Sequence, residues 1–243
     1  SDLSELLPVV RVAKTKILNT DEMADYLPID GLAEFSQSVG SLLFGQKNWQ
    51  EGQGRIYVMQ APGGTGALRV GAEFLAREVG KKVYLPHPSW GNHKNIYEQA
   101  GFAVESVPYY NKQIHRFDAE AYLQALDTLP PQSVVVFHAA CHNPTGSDPT
   151  LEEWKQIIEI CKRRSLIPFL DAAYQGFGDG IEEDATAVRL FFESGLDFLV
   201  AYSCSKNFSL YCQRVGALFV VCSNPAVKSR VGSQIKRIVR SCY

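Results

Sequence analysis

The chain has 243 residues, 46% of them hydrophobic, and a formal net charge of -2 at pH 7. That length and apolar content can bury one sizeable core, and so small a charge gives no general attraction to nucleic acid or to an acidic membrane surface. The longest apolar runs are strand-sized and the N-terminus is charged, which predicts neither a membrane span nor a signal peptide.

Along the chain, residues 1–30 show no sheet pattern and read as an N-terminal linker region. A strand is predicted near 54–60. It is followed by Gly63-Gly64-Thr65-Gly66 and an amphipathic helix over 67–79. Backbone amides at a helix N-terminus attract phosphate and glycine lets a ligand approach, although a tight turn without a ligand has the same sequence. Further strands are predicted near 82–86, 102–107, 133–139, 166–170, 197–202 and 216–221. Helices are predicted over 90–100, 118–126, 150–164, 185–194 and 227–240. Short apolar strands alternating with amphipathic helices predict an α/β fold, with a mostly parallel seven-stranded sheet sandwiched by helices. Residues just after such strands face the crevice where open sheets bind ligands.

Several candidate residues stand at those places. After strand 133–139 comes His142-Asn143-Pro144-Thr145-Gly146, which is a plain Asn-Pro turn or a turn presenting the Asn143 amide. His138 and His142 read as satisfied interior histidines. Asp171 follows the apolar run 166–170 and is either a turn aspartate or a crevice carboxylate. Tyr174 is either a packing ring or a hydrogen-bond donor. Lys206 closes Ser203-Cys204-Ser205-Lys206 after the run 198–202, and Arg214 follows eight residues later. A poorly solvated lysine loses its proton more readily and attacks carbonyls; the alternative is a strand-end lysine reaching solvent. A nucleophilic lysine beside an anion site suggests a cofactor with an aldehyde and a phosphate, namely pyridoxal 5'-phosphate. Asp171 then suits its pyridine nitrogen, and Tyr174 and Asn143 its phenolic oxygen.

The five histidines show no metal-ligand spacing with cysteine or carboxylates, so no metal site is expected. The six cysteines form no CxxC and no secreted disulfide pattern, which points to a reducing, cytoplasmic setting.

Six segments, YLPIDGLAEF (26–35), GGTGALRVGAEFLA (63–76), PSWGNHKNIYEQAGF (88–102), FHAACHNPTG (137–146), DAAYQGF (171–177) and SKNFSLYCQRVG (205–216), give the chain a specific resemblance. It resembles the aspartate aminotransferases of the class I, fold-type I pyridoxal-phosphate family, over nearly its whole length. The resemblance implies that Lys206 is the Schiff-base lysine and proton shuttle. Asp171 would pair with the pyridinium, with His138 behind it and His93 in a supporting shell. Tyr174 and Asn143 would bond the phenolic oxygen, and Trp90 would stack on the ring. Gly64, Thr65, Ser203, Ser205 and Arg214 would hold the phosphate. Tyr26 would reach the phosphate in a neighbouring subunit, which implies a homodimer with shared active sites. Arg240, at the family's distance from Arg214, would bind a dicarboxylic substrate in the partner's site; its planar fork suits that. The implied partners are amino acid and 2-oxo acid substrates, L-aspartate and 2-oxoglutarate first. Alternatives are an aromatic-amino-acid aminotransferase or a catalytically incompetent cofactor-binding fragment.

Cys204, Ser209, Cys212 and Gln213 depart from the family's usual residues, with glycine common at 209 and Asn-Glu at 212–213. The resemblance also implies a partial chain, with residues 31–243 as the large cofactor-binding domain and the family's C-terminal small domain absent.

Overall fold

The computed structural model describes residues 7–20 and 25–242; parts of the expected 1–30 linker, residues 1–6 and 21–24, and Tyr243 lie outside the described residues. Nine strands are described: β1 Ile56–Pro62, β2 Lys82–His87, β3 Ala103–Pro108, β4 Tyr110–Asn111, β5 Arg116–Phe117, β6 Val134–His138, β7 Ile167–Ala172, β8 Phe198–Ser203 and β9 Val215–Val221. The helices are α1 Pro8–Leu18, α2 Ala33–Phe44, α3 Gln46–Gly52, α4 Gly63–Glu78, α5 Gly91–Gln99, α6 Ala119–Thr128, α7 Leu151–Arg164, α8 Thr186–Glu193 and α9 Pro225–Val239.

Seven strands form one sheet in the order β1-β9-β8-β7-β6-β2-β3. Five of them, β8-β7-β6-β2-β3, run parallel, while β9 is antiparallel to both β8 and β1. Both faces are covered, as the unbroken apolar runs require. Along β6, Val134 and Val136 join Leu68, Leu75 and Phe169 in one core layer. Val135 and Phe137 point the other way, into a layer with Trp154, Phe191 and Phe219. Helix α7 shows how local sequence supports this packing. A capping box joins Thr150 and Glu153 at its start, and Trp154, Ile157, Ile158 and Cys161 bury one face.

Three differences from the sequence expectation bear on the site. Helix α4 begins at Gly63 rather than 67, so the Gly-Gly-Thr-Gly segment is its first turn and presents free N–H groups there. Helices α1, α2 and α3 occupy stretches where no element was expected; none has a side-chain N-cap to announce it. Asp30 is tied to the body: the Tyr57 hydroxyl donates to its carboxylate and Lys236 pairs with it at 2.7 Å. Among the described residues, no helix is long and apolar enough to cross a membrane.

Candidate active site

The strand directions bring distant segments to one sheet edge. The register pairs His138 with Asp171 and Asp171 with Ala201, so the carboxyl ends of β6, β7 and β8 lie side by side. Because β9 runs the opposite way, its start reaches the same edge: Val215 pairs with Pro62, and Ser203 with Gly216. Arg214, just before β9, therefore stands beside the start of α4. A Cβ on Gly216 would meet the Gly63 carbonyl carbon at 2.6 Å and also the Tyr202 carbonyl oxygen, so only glycine lets these backbones close.

A cavity of about 190 Å³ opens at this edge. Gly64, Thr65, Ser203, Ser205 and Arg214 line it together with Trp90, Asn143, Asp171, Tyr174 and Lys206. Arg214 Nη1 donates to Ser205 Oγ at 3.2 Å and to the Tyr211 carbonyl at 3.1 Å, which fixes the guanidinium. The Ser205 amide donates to Ser203 Oγ at 3.2 Å. Free N–H groups of a helix start, two hydroxyls and a guanidinium form an anion cradle.

Lys206 Nζ lies 4.7 Å from the centre of the Tyr174 ring, a cation–π distance. Asn143 Nδ2 donates to the Tyr174 hydroxyl at 3.5 Å. Burial, and then the nearby Asp171 charge, push the Tyr174 phenol up from its usual range, so it stays a neutral donor at neutral pH.

Behind Asp171 runs a buried polar chain. His93 Nε2 lies 2.8 Å from Asp171 Oδ2, His93 Nδ1 lies 2.9 Å from Ser89 Oγ, and Ser89 Oγ lies 3.0 Å from His138 Nε2. His93, rather than His138, is thus the group directly behind the carboxylate; His138 connects through Ser89, and its Nδ1 accepts from the Asn143 backbone N–H at 3.3 Å. Burial, with His142 and His93 nearby, holds the His138 imidazole well below its usual range. Burial first, then His93, bring His142 down to about 4. His142 Nε2 is buried without a hydrogen-bond partner, and its ring stacks on Tyr109 at 3.9 Å.

Two expected residues stand apart from this cavity. Tyr26 is 99% exposed. Arg240 caps α9 and lines a separate, wider groove with Asp30, Tyr57 and Lys236. Sequence reasoning missed Ser89 and Tyr211. Ser89 sits four residues before His93 in an already suspect segment, and that i,i+4 spacing was its available signal. Tyr211 carried none.

The family model for aminotransferase class I and II matches residues 1–243. An aspartate aminotransferase of Pseudomonas aeruginosa is 47% identical over 239 residues, 98% of this chain and 60% of that protein. A tyrosine aminotransferase of Klebsiella pneumoniae is 46% identical over 219 residues, 90% of this chain and 55% of that protein. The crystal structure of an aromatic-amino-acid aminotransferase from Burkholderia pseudomallei, covalently bound to pyridoxal phosphate, superposes with a TM-score of 0.95 at 44% identity. That match covers 98% of this chain and 60% of the other. The chain thus spans about 60% of the length of such relatives.

Proposed function

The chain belongs to the class I and II aminotransferases, and from that premise we propose that it contributes to transamination between L-aspartate and 2-oxoglutarate, giving oxaloacetate and L-glutamate. The observation that carries the reading is the meeting, in one cavity, of Lys206, Asp171 and the anion cradle of Gly64, Thr65, Ser203, Ser205 and Arg214.

Members of this family depend on pyridoxal 5'-phosphate, and the residues present fit it. A Cβ at Gly64 would meet Ser203 Cβ at 2.9 Å, so bare backbone faces the cradle. Cationic and N–H groups gather for a phosphate, and a carboxylate backed by His93 suits a protonated ring nitrogen. When bound, the cofactor supplies an electron sink for the carbanion left by removing the substrate's α-proton.

The chain's own residues do the rest. The Lys206 amine is the covalent anchor and, when free, the base that carries the proton. Asp171 would accept the hydrogen bond of the ring nitrogen, and His93 fixes the orientation of its carboxylate. Tyr174 and Asn143 would donate to the phenolic oxygen, and Trp90 would stack on the ring. Tyr26 and Arg240, which face outward from their own protomer, act in a homodimer: Tyr26 on the partner's phosphate site and Arg240 on the side-chain carboxylate of the substrate there. Residues 31–243 make up the cofactor-binding domain, and the cytoplasm is the setting.

A second reading, aromatic amino acid substrates, draws support from the relative named a tyrosine aminotransferase. Single-turnover reactions of the cofactor-loaded chain with L-aspartate and L-phenylalanine, followed by keto-acid analysis, test both. Faster oxaloacetate formation supports the dicarboxylic reading. Faster phenylpyruvate formation replaces it with the aromatic one, and neither product contradicts both.

A further inference from the structure

Asp184 is only 8% exposed, yet its partners are backbone N–H groups rather than a cation. Its Oδ2 accepts from Gly176 at 2.8 Å and Gly178 at 2.9 Å, and its Oδ1 accepts from Asp179 at 3.0 Å. Two further carboxylates stand near: burial first, then the charges of Asp184, Asp148 and Asp179, push the Cys141 thiol beside Gly178 up to about 11. A buried carboxylate among like charges is costly unless its lone pairs are filled. Here the filling donors all come from the loop that begins at Tyr174.

The link to Tyr174 is short. The Phe177 amide donates to the Tyr174 carbonyl at 3.0 Å, closing a turn. The amides on both sides of Phe177, those of Gly176 and Gly178, are the ones Asp184 holds. Gln175 grips the same turn from inside, its Nε2 donating to Leu42 at 3.1 Å and Ile181 at 2.8 Å. Gly178 is needed as well, since a Cβ there would meet Asp184 Oδ1 at 2.6 Å. Every amide of 176–179 is thus engaged, and the Tyr174 side chain at the start of this turn lies 4.7 Å from Lys206 Nζ and accepts from Asn143 Nδ2.

We propose that Asp184 is a positioning residue for the reaction: by gathering the amides of the 176–179 turn, it holds the Tyr174 hydroxyl where it donates to the cofactor's phenolic oxygen. This rests on the functional reading above. Hydrogen bonds donated to an anionic oxygen favour its ionised form, so a displaced Tyr174 raises the pH at which the lysine-bound cofactor loses its proton.

The test compares Asp184→Ala, Tyr174→Phe and the double variant by two readouts. The first is amide exchange of the cofactor-free chain, where Asp184→Ala is expected to speed exchange in peptides covering 174–180 by tenfold or more, roughly. The second is the pH midpoint of the absorbance of cofactor bound at Lys206. It is expected to rise in Asp184→Ala in the same direction as in Tyr174→Phe, by about one pH unit. The double variant is expected to rise no further than Tyr174→Phe alone. An unchanged midpoint in a folded Asp184→Ala, or additive shifts, overturns the proposal. Should Asp184→Ala fail to fold, Asp184→Asn keeps the volume and one acceptor oxygen, and the same two readouts apply with a smaller change. If the unsubstituted chain takes up no cofactor, the functional reading fails. The exchange experiment still decides whether Asp184 holds the turn, and unchanged protection overturns that.

Discussion

His93 Nε2 lies 2.8 Å from Asp171 Oδ2, joining a fully buried imidazole on α5 to the carboxylate on β7 that lines the cavity. The contact spans 78 residues of sequence, and Ser89 and His138 extend it on the far side.

Replacing His93 by phenylalanine keeps an aromatic ring, slightly larger than the imidazole, and removes both nitrogens. Asp171 then keeps its burial and loses its partner. The expected cost is about 2 kcal/mol of folding stability, within the range for hydrogen bonds to charged groups. Urea unfolding at neutral pH checks this. Unchanged stability would mean that Asp171 finds another partner or water.

Ser209 has φ of +53°, a left-handed conformation that L side chains adopt with strain. It ends a turn in which its amide donates to the Lys206 carbonyl at 2.9 Å. Glycine relieves that strain while adding freedom to the unfolded chain. Ser209→Gly is expected to raise stability by about 0.5–1 kcal/mol, seen as a rise in Tm of roughly 1–4 °C. A lower Tm would show that the serine side chain has a stabilising partner.

Acid should weaken the fold through the buried histidines. The His142 imidazole is held at about 4, below its ordinary 6.5, by burial first and then by His93. Between those two values the unfolded chain binds the proton and the folded one does not, so stability falls as pH drops from 6.5 toward 4. For His142 the full loss is on the order of 3 kcal/mol. His138, also lowered by burial, acts in the same direction. Asp148 and Asp197, raised by burial, act oppositely, because the folded state takes up their protons first. Urea midpoints at pH 7 and pH 4.5 measure the balance, and His142→Gln should flatten the difference. An equal slope in His142→Gln would assign the acid sensitivity elsewhere.

Arg240 lies outside the cavity of its own protomer, so its proposed action in a partner's site predicts complementation. Lys206→Ala and Arg240→Ala proteins, each inactive with L-aspartate, should regain roughly a quarter of normal turnover when mixed as subunits, since half the dimers are mixed and each has one intact site. No recovery in dimers shown to exchange subunits would place Arg240 in its own site or in neither.

The sheet was legible because runs such as Ser133-Val134-Val135-Val136-Phe137 are apolar on both faces, and both faces proved covered. The cavity residues were legible for a related reason: Asn143, Asp171, Tyr174 and Lys206 all come at or just after parallel strands. Helices α2 and α3 were not. Their N-cap positions hold Leu32 and Gly45 without a side-chain cap, and Gly40, Gly45 and Gly52 interrupt the pattern. The start of α4 was misplaced because three glycines, Gly63, Gly64 and Gly66, poor helix formers, occupy its first turn. The Ser89–His93–His138 chain depends on contacts across 49 residues, which no local spacing reveals. The roles proposed for Tyr26 and Arg240 need a second copy of the chain, which no local pattern in one sequence displays.

The most direct test of the account is borohydride reduction of the chain loaded with pyridoxal 5'-phosphate, followed by peptide mapping, with and without prior L-aspartate. The account predicts a single cofactor label on Lys206, diminished when L-aspartate is added first. A folded chain that takes no label, or takes it on a lysine outside the cavity, would contradict it.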